Sequence, residues 1–94
     1  MSSRAERRWV LASDQVSSRV EGETVILHMG SGTYFGLDQV GTHVWEQLRE
    51  PRTLAELTDG VVAHFEVAPE RAERDLQRLL ADLEDQGLVA APGA

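Results

Sequence analysis

The sequence predicts an α+β domain in which a three-stranded antiparallel meander precedes three helices. Three observations predict it. Between Val16 and Leu37 the apolar residues alternate with polar ones and are often β-branched. After Asp38 the apolar spacing becomes helical. Turn and cap residues stand at each junction. The order β-β-β-α-α-α follows, with the sheet relying on helices packed on one of its faces.

Each element has its own reason. "VSSRV" sets Val16 and Val20 across polar residues, and "EGE" with Gly22 turns the chain. "TVILH" is the second strand, "MGSG" the next turn and "TYFGL" the third strand. Asp38 is a good N-cap for a first helix with Val40, Val44, Trp45 and Leu48 on one face. That helix stops before Pro51. Thr53 and Glu56 form a T-x-x-E capping box for a second helix, striped by Leu54, Leu57, Val61 and Phe65. Pro69 suits the first turn of a third, where its missing N–H costs nothing. Ala72, Leu76, Leu79, Leu80 and Leu83 line that helix's inner side, Gly87 ends it, and "LVA" follows as a short extended piece. Helix–turn–helix followed by a short apolar wing is a winged-helix arrangement.

Ninety-four residues make one domain with a modest core. Residues 1–15 read as a polar arm whose Trp9 either docks on the domain or meets a partner; residues 16–90 are the folded unit and 91–94 a tail. The absence of cysteine removes disulfides and thiolate metal sites and fits a cytoplasmic location. No apolar run approaches the roughly 20 residues of a membrane span, and "MSSRAERRWVLASDQ" has no continuous apolar region of a secretory signal. All nine basic residues are arginine against sixteen acids, a net charge of −7. Such a body repels phosphate backbones and anionic lipid, so neither nucleic acid nor membrane is an expected partner.

The third strand draws the functional expectation. Phe35 and Leu37 point to the core side, while Tyr34 and Gly36 point away. In a sequential meander this strand is an edge. Its free N–H and C=O groups are a template for another extended chain, and Gly36 has no side chain to hinder the approach.

"GTYFGLDQVGTHVWEQL", then "TLAELTDGVVAHFEV" and "DLQRLLADLEDQGLV", resemble in ordered succession the PqqD-like RiPP recognition elements. These are leader-binding domains of pathways that modify ribosomally made peptides, and the likeness is nearest to the stand-alone ones of lasso peptide biosynthesis. It covers roughly residues 16 to 89. The resemblance implies that a precursor's leader peptide is captured as an added strand in a groove against the third helix. Carried onto this chain, the strand surface is Thr33, Tyr34, Phe35, Gly36 and Leu37. The helix wall is drawn from Arg71, Asp75, Leu76, Arg78, Leu79, Asp82 and Leu83. The implied partners are the leader, a leader-cleaving cysteine peptidase and an ATP-dependent, lactam-forming cyclase, with catalysis belonging to the last two.

Other chemistries find little support in the residues. The third helix carries six acids against three arginines, the wrong balance for a DNA recognition helix. His28, His43 and His64 fall on different elements without ligand spacing, so no metal or other cofactor is expected. "GSG" lacks the spacing of a phosphate loop, and no serine has a recognisable base beside it. A generic interaction or dimerisation module using the same edge strand is the alternative.

Overall fold

A computed structural model of the chain describes residues 7–92; the rest of the arm and tail, residues 1–6 and 93–94, lie outside the described residues. Strands β1 (Arg8–Leu11), β2 (Gln15–Val20), β3 (Glu23–His28) and β4 (Thr33–Leu37) lead into helix α1 (Gln39–Gln47). A two-residue strand β5 (Arg52–Thr53) precedes α2 (Leu54–Phe65), and α3 (Pro69–Asp85) is followed by β6 (Val89–Ala90). The expected meander is β2–β3–β4, antiparallel throughout, with β2 and β4 as its edges.

The local signals act as anticipated. Asp38 caps α1 by accepting from the Gly41 amide at 2.8 Å. Thr53 and Glu56 complete a reciprocal capping box at α2, which satisfies two amide donors that the helix itself cannot. Pro69 opens α3. Its other end is a Schellman motif: the Gly87 amide donates to Glu84 and the Leu88 amide to Leu83, with Gly87 at φ 73°.

Within the arm before Val16 lies an element that alternation did not reveal. β1 stands between β5 and β6 in a second small sheet, pairing Arg8 with Thr53 and Leu11 with Val89. Trp9 is buried there with the core. The extended piece after α3 is therefore tied to residues near the start of the chain.

The core lies between the inner face of the meander and the three helices, built on Trp45, Ile26, Leu48, Leu57, Leu76 and Leu88. Two polar ties lock the layers. The Trp45 indole N–H donates to Ser17 Oγ at 3.1 Å, joining α1 to β2. Thr24 and Thr42 share a buried hydroxyl bond of 2.7 Å, joining β3 to α1. Without these bonds their polar atoms would be stranded in an apolar interior. No helix among the described residues is long and apolar enough to cross a membrane.

Candidate peptide-binding groove

Among the described residues, β4 pairs only with β3, so its other border keeps unpaired backbone groups. Beside it runs a groove of about 850 Å³. Gly36 and Leu37 of β4 form one side, and Arg71, Asp75, Leu76 and Leu79 of α3 form the other. Val40 and Val61 line it from α1 and α2, and Glu66, Val67 and Ala68 close the end where α2 turns into α3.

This arrangement follows from the helix geometry. At 100° per residue, Arg71, Asp75, Arg78 and Asp82 share one stripe of α3, with Leu79 at its margin. Leu76 and Leu83 sit on the core side and are both buried, although Leu76 also reaches the groove. Arg78 and Asp82 are exposed further along α3, outside the groove's lining. On β4, Phe35 is half-buried toward the core, whereas Thr33 and Tyr34 are exposed beyond the groove's end.

The lining also contains residues beyond those that the sequence singles out for the site. Val40 and Val61 belong to apolar helix faces, and nothing in their spacing separates a groove wall from an interior position. Val67 carried a readable signal: it is an apolar residue in the short, otherwise unstructured link between two helices. Glu66 adopts left-handed backbone, φ 56°, at the end of α2. That conformation turns the chain sharply enough to bring Val67 against the groove.

The groove is apolar within and acidic at its rim. Asp38, Glu66 and Asp75 are in its lining with one guanidinium, Arg71, which lies 3.8 Å from Asp75. Both partners of that pair are largely exposed, so it contributes little to stability. Such a site suits an extended chain with apolar anchors and a neutral or basic flank. Among the described residues no group of three His, Cys, Asp or Glu side chains could hold a metal ion.

The family model for coenzyme PQQ synthesis protein D (PqqD) matches residues 23–89. Among solved structures, the chain resembles TbiB1 in complex with the TbiA(beta) leader peptide, with 35% identity, a TM-score of 0.79, and coverage of 90% of this chain and 96% of that one. It also resembles a lasso peptide synthetase B1 complexed with the leader peptide, at 22% identity and a TM-score of 0.77, covering 87% of this chain and 96% of the other. The second likeness shows the fold alone. No curated protein matches the chain.

Proposed function

The chain belongs to the PqqD family, and from that premise we propose that it is a non-catalytic, cytoplasmic receptor for the leader peptide of a ribosomal precursor. The leader adds as a strand to β4, with its apolar side chains in the groove against α3. Thr33 to Leu37 supply the backbone template. Leu76 and Leu79 form the apolar wall, Arg71 and Asp75 set the register at the rim, and Arg78 and Asp82 extend contact along the helix. Leu83 supports the wall from behind. The captured precursor is delivered to a leader-cleaving cysteine peptidase and a lactam-forming cyclase of lasso peptide biosynthesis.

Magnitudes explain why both border and groove are needed. Each backbone hydrogen bond contributes a net of about 0.5–1.5 kcal/mol, whereas ordering a disordered segment costs roughly 2–5 kcal/mol or more. Strand pairing alone would therefore be weak. One or two apolar side chains buried in the groove, each worth about 1.5–3 kcal/mol, supply the affinity and the identity of the ligand.

The observation that carries this reading is the unpaired border of β4 beside an apolar groove. Titrating labelled cognate leader, with a scrambled control, tests it by nuclear magnetic resonance. Chemical-shift changes are expected to concentrate on residues 33–37 and 71–83. Changes confined to α1 and α2, or equal binding of the scrambled peptide, would refute it.

A further inference from the structure

Gly36 stands in the middle of β4 for no reason that the fold itself supplies. Glycine in a strand interior weakens the strand. The usual compensation is left-handed backbone, which among the described glycines belongs to Gly22, Gly32 and Gly87. Packing does not require glycine at 36 either, since a Cβ added there meets no atom within 4 Å. For folding alone, a β-branched residue would serve this position better.

Hydrogen-bond alternation shows what the bare position faces. The β2–β3 turn has two residues, Glu21 and Gly22, both left-handed, so the closing pair Val20 and Glu23 exchanges both backbone bonds. Along an antiparallel ladder such pairs alternate with unbonded ones. Glu23, Val25 and Leu27 therefore turn their N–H and C=O groups toward β2, and Thr24, Ile26 and His28 turn theirs toward β4. The Met29 amide, which donates to Asp14, keeps the same alternation. On β4 the residues bonded to β3 are then Thr33, Phe35 and Leu37. Tyr34 and Gly36 remain, and their backbone groups point to the open border.

A strand added to that border sets one residue beside Gly36. Its side chain shares a face with Tyr34 and Val25, while its two neighbours turn, like Phe35 and Leu37, toward the groove. Val25 lies opposite Gly36 and is 38% exposed, and Tyr34 is 68% exposed. With no side chain on Gly36, a notch floored by backbone separates the Tyr34 ring from Val25. An aromatic ring laid over a glycine from the neighbouring strand stabilises a sheet edge, and aromatic and β-branched side chains are favourable cross-strand neighbours.

We infer that Gly36 is a specificity-determining position that selects a peptide with an aromatic side chain beside it, laid across the bare backbone between Tyr34 and Val25. This inference rests on leader addition at β4 and names the class of segment captured there: an aromatic residue with a groove-facing apolar residue on each side. Backbone pairing does not tell one peptide from another, and the groove reads only alternate side chains. The notch reads the one between them.

Gly36→Val fills the notch. In thermal melting the variant should be at least as stable as wild type, because valine suits a strand and its Cβ enters open space. Labelled cognate leader and a set of single-alanine leaders are titrated onto both proteins by fluorescence anisotropy. On wild type, alanine at one aromatic position should cost at least tenfold, and alanine at either neighbour should also weaken binding. On Gly36→Val the cognate leader should lose at least tenfold, and the leader with alanine at that aromatic position should bind within twofold of the cognate one. The losses at the two neighbours should persist in both proteins. Should Gly36→Val not fold, Gly36→Ala carries the same comparison with at least a threefold effect. Unchanged cognate binding, a coupled position that is not aromatic, or an equal loss for every leader overturns the notch alone. Wild type that binds no leader overturns the leader reading as well.

Discussion

Glu21 shows how much one backbone angle decides. It has φ 53° and Gly22 has φ 84°, so the β2–β3 hairpin closes on a two-residue turn with both central residues left-handed. Such turns favour Asn-Gly. Glu21→Asn is expected to add about 0.5–1 kcal/mol, part of the roughly 1–2 kcal/mol that this conformation costs an ordinary residue. A lower midpoint in thermal melting would contradict it. The sequence marked "EGE" as a turn through its glycine, but it did not show that the glutamate shares the strain. His43 is a second case. It stacks on His64 at 4.7 Å between ring centroids, and its Nε2 is buried without a hydrogen-bond partner. Burial, then the neighbouring His64, lowers its pKa below the ordinary histidine value. The unfolded chain therefore takes up the proton first. The contribution is fully present above the unfolded pKa of about 6.5 and declines as pH falls from there through the folded value. Urea titrations at several pH values should show stability falling as pH drops below about 6.5, and His43→Gln should flatten that fall. Glu46, whose pKa the hydrogen bond from Arg49 lowers, acts only in the more acidic carboxylate range. The histidine pair was not legible because it arises from the packing of α1 on α2, which residue spacing does not encode.

At the level of elements, caps and periodicity were the reliable signals, because each acts within a few residues. Asp38, Thr53 with Glu56, Pro69 and Gly87 all stand at the ends where local chemistry places them. Gly87→Ala tests one of them. A Cβ there would meet His28 Nε2 at 3.2 Å in a backbone conformation that disfavours side chains. A loss on the order of 1–2 kcal/mol in chemical unfolding is expected. The rotation of α3 was legible only roughly. Leu79 is half-buried at the groove, whereas Leu83 is in the core. Leu79→Asp is accordingly expected to keep the fold and weaken leader binding about 10- to 100-fold, the equivalent of one lost apolar anchor. Leu83→Asp should lower the unfolding midpoint strongly instead. Circular dichroism with leader titration separates the two outcomes, and wild-type leader affinity in a folded Leu79→Asp variant would remove that side chain from the site. Strands β1 and β5, and the pairing though not the extended form of β6, were invisible for the opposite reason. They have two to four residues each, too few for alternation, and exist through pairings that are remote in sequence.

Across the whole molecule, the acidic balance governs which encounters are permitted. A chain of net charge −7 whose third helix is itself acidic should show no retardation of mixed-sequence duplex DNA at low salt, the condition that most favours non-specific binding. Binding there would reopen a nucleic-acid role. The meander and its border were readable because strand order followed chain order. The groove was readable only in part, since its walls come from four elements brought together by the core. The placement of β1 has a practical corollary. Trp9 fills part of the interior, and its strand bridges Arg52–Thr53 to Val89–Ala90. An engineer who transplanted the module from Val16 onward, as composition alone advises, would leave a tryptophan-sized void and two orphaned ribbons. A graft that keeps the fold intact must start upstream of Arg8.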